Sequence, residues 1–137
     1  MGLILDSSVI IFAERRRDNV TQMLKQFRAA FGDQHSVISS VALTELVHGI
    51  HRAPLGQIRA RREAFIRELL DDVEVYPFIK ETALLAGRID GEQRGKGIVI
   101  PFADLLIGAT ALQIGYSVLT ANARHFRLIP DLVVIKL

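Results

Sequence analysis

The chain has 137 residues, no cysteine, 50% hydrophobic and 23% charged residues, which suits one α/β domain spanning residues 1–137 with an ordinary core. Disulfide scaffolds and thiolate metal sites are excluded, and a cysteine-free chain is the composition expected of a reducing, cytoplasmic setting. The net charge of +2 is too small by itself to announce a polyanion partner.

In chain order, Leu3-Ile4-Leu5 is a short apolar run ending at Asp6. No basic leader precedes it, so no export signal is expected. Every apolar run is broken by charge or glycine well before the ~20 residues of a membrane span, which predicts a soluble protein without membrane association. Ser7-Ser8 reads as a turn into a helix from Val9 to about Arg17. A second helix over Val20–Phe31 spaces Met23, Leu24, Phe27 and Phe31 on one face and is closed by Gly32. His35–Ile38 is a strand, and Ser39 and Ser40 can cap a helix from Val41 to about His51, stopped by Pro54. An arginine-rich helix over Leu55–Leu70 has an apolar face of Ile58, Phe65, Ile66, Leu69 and Leu70.

Val73–Tyr76 alternates as a strand does before Pro77. A helix follows from Lys80 to about Arg94, with Gly95 and Gly97 behind it. Pro101 suits the first position of a helix over Phe102–Ile114 that is apolar on nearly every face and is expected to be buried. Tyr116–Thr120 and Leu132–Ile135 read as buried strands, separated by a short turn or helix around Arg124–Leu128. Strands alternating with helices predict a mainly parallel central sheet flanked by helices.

Thirteen of the seventeen cations are arginine, clustered at Arg15-Arg16-Arg17 and at Arg59, Arg61 and Arg62. Arginine's planar fork matches phosphate oxygens, but a solvated helix face explains such clusters equally well. The acids are more informative, because three stand where acids cost energy. Asp6 ends an apolar strand, Glu45 interrupts Val41-Ala42-Leu43-Thr44 and Leu46-Val47, and Asp104 lies between Ile98-Val99-Ile100 and Leu105-Leu106-Ile107. A buried carboxylate needs a partner or a cation. Strand ends and the helix N-termini after them line the ligand-binding edge of a parallel sheet. Asp6, Asp104 and Asn122, which follows the strand ending at Thr120, belong to that edge. Hard oxygen donors without cysteine favour Mg²⁺ or Mn²⁺, ions that meet substrates through phosphate oxygens and assist phosphodiester hydrolysis. Each residue also has a local explanation. The helix dipole favours Asp104 by roughly 0.3–1 kcal/mol, an Asx turn accounts for Asp6 and a turn for Asn122, and an arginine partner would satisfy Glu45.

Four segments decide between these readings. Leu3-Ile4-Leu5-Asp6-Ser7-Ser8, Ser40-Val41-Ala42-Leu43-Thr44-Glu45-Leu46, the run Ile100-Pro101-Phe102-Ala103-Asp104-Leu105-Leu106-Ile107-Gly108-Ala109-Thr110-Ala111, and Leu119-Thr120-Ala121-Asn122-Ala123-Arg124-His125-Phe126 together resemble a PIN domain, and within that family the VapC-type toxins. The resemblance runs in order over essentially the whole chain. It implies a compact α/β fold and a divalent-metal (Mg²⁺ or Mn²⁺) endoribonuclease, the toxin of a toxin–antitoxin pair. It further implies an RNA substrate, a homodimer, and a separate small antitoxin protein lying across the site. By this resemblance Asp6, Glu45 and Asp104 match the acids that hold the metal. Asn122 matches a fourth position, where its amide brings an oxygen but no charge. Ser8 and Thr120 match small hydroxyl residues that orient the site by hydrogen bonds.

Two other classes compete. A non-catalytic RNA-binding or assembly module of the same fold would be expected to lose the three acids, which are all present. A small-molecule phosphatase commonly has a second acid two residues after the first, where this chain has Ser8, and a phosphoaspartate domain would want paired acids and a late lysine. His48 and His51 share a helix face but lack the further ligands of a zinc site. His125 is expected to pack or face solvent, with substrate phosphate the alternative. Asp90 and Glu92 are expected to face water.

Overall fold

A computed structural model describes all of residues 1–137. The strands are β1 (Gly2–Leu5), β2 (His35–Ser39), β3 (Glu74–Tyr76), β4 (Ser117–Thr120) and β5 (Val134–Lys136), and the helices are α1 (Ser7–Arg15), α2 (Val20–Phe31), α3 (Ser40–Arg52), α4 (Gln57–Asp72), α5 (Lys80–Arg94), α6 (Phe102–Ile114) and α7 (Ala123–Phe126). All five strands pair in parallel in the order β3-β2-β1-β4-β5. This is the flanked parallel sheet that the alternation of apolar runs and helical periods predicts.

The period of two along each strand divides the core. Register aligns Ile4 with Val37 and Val118, and these three point to one face, where Ala86 and Ile89 of α5, Leu105, Ile107, Ala109 and Ala111 of α6, and Phe126 of α7 cover them. Their neighbours Leu3, Leu5, Ile38 and Leu119 point to the other face, against α1, α2, α4 and the apolar side of α3. Each such fully buried aliphatic side chain contributes about 1.5–3 kcal/mol. No helix is long and apolar enough to cross a membrane.

Several boundaries differ from expectation, each for a local reason. Helix α1 begins at Ser7, directly after Asp6, because Asp6 has the extended φ, ψ of −70° and 153° of an N-cap residue. Pro101 is the N-cap of α6 rather than its first residue, with φ −53° and ψ 137°. Phe102 is not buried with the rest of that helix but is 73% exposed. Strand β5 is shifted toward the C-terminus, beginning at Val134, although the carbonyl of Val133 already accepts the N–H of Val118 at 2.9 Å. Gly32 closes α2 as expected, at a positive φ of 87° that suits a residue without a Cβ.

The two arginine clusters are only partly the solvated faces that the sequence allows. Glu14 of α1 is buried, and Arg61 of α4 donates Nε–H to its Oε1 at 2.8 Å while Arg62 lies 3.9 Å from Oε2. Arg59 donates to the carbonyls of His51 and Ala53. These side chains tie α4 to α1 and to the end of α3. Arg16 pairs with Asp18 and lies over the ring of Phe12.

Candidate active site

Strand order reverses between β1 and β4: β2 and β3 step outward on one side of β1, β4 and β5 on the other. Such a reversal opens a crevice at the carboxyl ends of the strands. Asp6 follows β1 there and Thr120 ends β4 beside it, with the Asp6 N–H donating to the carbonyl of Leu119 at 3.0 Å.

Asp6 is 4% exposed and makes no N-capping bond with its side chain, so an Asx turn does not account for it. Its Oδ2 instead accepts the hydroxyls of Ser8 at 2.7 Å and Thr120 at 2.8 Å. Ser8 also accepts the N–H of Ala121, and Thr120 accepts the N–H of Asn122. The two hydroxyls thus lock the carboxylate between the first turn of α1 and the loop after β4.

Glu45 reaches the same edge from α3, whose start is fixed by the Ser39 hydroxyl accepting the N–H of Ala42. It accepts the hydroxyl of Ser7 at 3.1 Å and has no arginine partner, contrary to the local explanation from sequence. Burial raises its pKa above the usual carboxylate range, the Ser7 bond opposes this, and the charges of Asp6 and Asp104 raise it further. Asp104 lies in the first turn of α6 and is bonded to Nδ1 of His125 at 2.9 Å. An ionised carboxylate only accepts, so the imidazole must present Nδ1–H. Burial raises the Asp104 pKa, His125 lowers it through that bond, and the charge of Asp6 raises it again.

The three acids therefore feel one another across the crevice, and none is paired with lysine or arginine. No three acid or histidine side chains stand close enough to close on one ion by themselves. Asn122 donates its backbone N–H to Thr120, while its exposed side chain makes no hydrogen bond to the acids and lines a neighbouring basic pocket. Ser7 is the polar group that sequence reasoning missed, and the bond of His125 to Asp104 was not foreseen either. For Ser7 the Ser7-Ser8 doublet was the one available signal, since residues roughly 100° apart on a first helical turn reach different partners. For His125 only its place in the Asn122 segment hinted at a role. His48 and His51 are exposed on α3, and Asp90 pairs with Arg94 on the surface of α5.

A parallel sheet whose switch point carries three mutually repelling carboxylates defines a class, and residues 3–132 match the PIN domain. The chain belongs to the PIN domain family. Ribonuclease VapC1 of Rickettsia felis is 35% identical over 135 residues, spanning 98% of this chain and 96% of that protein. Ribonuclease VapC of Rickettsia bellii is 34% identical over 135 residues, with the same 98% and 96% coverage. The crystal structure of VapBC2 from Rickettsia felis, bound to a DNA fragment from their promoter, shares the fold at a TM-score of 0.85 with 21% identity, covering 100% of this chain and 99% of that one. The DNA-bound VapBC of Salmonella typhimurium aligns at a TM-score of 0.82 with 24% identity over 99% and 98% of the two chains.

Proposed function

We propose that this protein is a divalent-metal-dependent endoribonuclease that hydrolyses RNA phosphodiester bonds as the toxin of a toxin–antitoxin pair. One observation carries the reading: Asp6, Glu45 and Asp104, from three separate segments, share the sheet's switch point with raised pKa at two of them and no lysine or arginine partner at any. Uncompensated carboxylates of this kind suit a hard cation. Oxygen donors without cysteine suit Mg²⁺ or Mn²⁺, ions that keep several of their waters. Relatives named Ribonuclease VapC, and the VapBC complexes among similar structures, support both the RNA substrate and a separate antitoxin.

In this reading Asp6, Glu45 and Asp104 hold the metal, and Asn122 offers an uncharged oxygen at the rim. When bound, the ion supplies an activated water and positive charge for the leaving oxygen. The chain's own part is placement. Ser8 and Thr120 fix one oxygen of Asp6 and leave the other free, Ser7 orients Glu45, and His125 orients Asp104. Water attacks phosphorus in line and the ribose 3′ oxygen leaves, giving a 5′-phosphate end. The phosphatase reading loses further ground because Ser8, standing where a second acid would be, is committed to Asp6.

An apolar groove of ≈ 400 Å³ between α1, α3 and α4, with Glu45 on its wall, is a surface that an antitoxin segment would cover. Pairing of two copies would cover exposed Leu84, Val99 and Phe102, on and between α5 and α6. The test is purified protein incubated with total RNA, with Mg²⁺ or Mn²⁺ against chelator, beside Asp6→Asn and Asp104→Asn. Cleavage that stops with chelator and in both folded variants is expected. Cleavage indifferent to chelator or to the variants would overturn the proposal.

A further inference from the structure

A second concavity of ≈ 400 Å³ opens beside the acids, and its charged lining is of opposite sign. Asn122, Arg124, His125, Arg127 and Lys136 form its polar wall, drawn from the loop after β4, from α7 and from the end of β5. All three cations are exposed, and none lies within ion-pair distance of a carboxylate. This contrasts with Arg61 and Arg62, which are taken up by Glu14, and with Arg59, taken up by carbonyls. Three like charges gathered round one hollow repel one another, and an anion entering it relieves that repulsion. His125 belongs to both places: its ring lines the hollow and its Nδ1 holds Asp104. The acids and the basic hollow therefore share a wall.

We infer that this pocket binds a backbone phosphate of the RNA strand next to the one that is cleaved, with Arg124, Arg127 and Lys136 as its contacts. The inference rests on the ribonuclease reading and adds a substrate subsite to it. Polyanionic substrate cannot approach three carboxylates on their field alone, and the nearby cations set against them give the strand a favourable place to lie. The guanidinium forks of Arg124 and Arg127 suit two phosphate oxygens at a time, whereas Lys136 acts as a point charge. Contacts to phosphate alone carry no base preference, so the pocket places the strand without choosing its sequence.

The test uses Arg124→Gln, Arg127→Gln, Lys136→Gln and the Arg124→Gln/Arg127→Gln pair, with Lys25→Gln as an exposed control that lines neither hollow. Steady-state cleavage of a short single-stranded RNA is followed with Mg²⁺ over a range of KCl. For the double variant KM is expected to rise about five- to tenfold with kcat unchanged, as for loss of uniform binding. The slope of log KM against log salt should fall by about 0.7 for each cation removed. A dinucleoside monophosphate has no neighbouring phosphate and is expected to be cut equally by all variants. Wild-type cleavage with KM and salt slope unchanged in the variants would overturn the pocket and leave the ribonuclease reading standing. A loss confined to kcat would overturn it too. Failure of the wild type to cut RNA at all would overturn both. Melting temperatures matching the wild type identify the effects as binding effects.

Discussion

Thr120→Val isolates the hydroxyl that holds Asp6. Thr120 is fully buried, donates to Oδ2 of Asp6 at 2.8 Å and accepts the N–H of Asn122 at 2.9 Å. Valine keeps the volume, so the cavity term is small and the polar loss dominates. A hydrogen bond to a charged group is worth about 1.5–3 kcal/mol, and the Asp6 carboxylate, 4% exposed, has little access to water as a replacement donor. Asn122 is exposed, so solvent replaces the acceptor for its N–H at small cost. The net expectation is a destabilisation of about 2–3 kcal/mol, which for a chain of this size lowers Tm by roughly 7–10 °C. Thr120→Ser keeps the hydroxyl and should lose only about 1 kcal/mol, for the buried methyl. Urea unfolding and thermal melts of the two variants provide the measurement. Ser8→Ala combined with Thr120→Val should be non-additive, because both hydroxyls donate to the same oxygen. If Thr120→Val melted within about 2 °C of the wild type, Asp6 would not depend on this bond, and the account of how the carboxylate is held would be wrong.

Glu45→Gln and Asp104→Asn should stabilise the protein at pH 7.5, by no more than about 1 kcal/mol because both carboxylates are partly solvated. Both pKa values are raised, so the native state holds these protons more tightly than the unfolded chain. The stability they contribute is present below about pH 4, the unfolded carboxylate range, and is lost as pH rises through the raised values. The gain of the variants should therefore vanish on acidification, and urea melts showing a loss at pH 7.5 would contradict this. Gly108→Ala places a Cβ 2.3 Å from Cδ1 of Ile129 and 3.2 Å from Leu132. Overpacking of about 1–3 kcal/mol outweighs a helix-propensity gain of up to about 1 kcal/mol, and adding Ile129→Val should recover most of the loss in a thermal melt. Glu14→Ala should cost about 1–2 kcal/mol in urea, less than a fully buried pair would, because Arg61 and Arg62 are 41% and 28% exposed and can turn to water.

The sheet was legible because its strands are short apolar runs whose alternate residues feed two faces, as Ile4, Val37 and Val118 do against Leu3, Ile38 and Leu119. The acids were legible as charges set among apolar residues. What the sequence obscured was where hydroxyls go. Ser7 and Ser8 read as a turn because such side chains compete for backbone groups in turns, yet here both are helical and drawn outward to Glu45 and Asp6. The arginines of α4 were equally opaque, since a helix face pattern does not reveal that Glu14 lies buried across the groove. The partner of His125 was opaque for the same reason: Asp104 is distant in sequence.

These features separate holding the fold from doing the chemistry. The core on both sheet faces is apolar and takes nothing from the three carboxylates, two of which burial and repulsion disfavour in their charged form. Neutralising Asp104 should then leave a more stable protein without nuclease activity. The hydroxyl of Thr120 works the other way: without it β4 and α1 lose a buried bond, yet the acids remain in place chemically, so Thr120→Val should be less stable while keeping part of the activity. An ordinary structural ion-pair network would make both substitutions destabilising. Opposite signs are the outcome expected if the acids are kept for the proposed cation and not for stability.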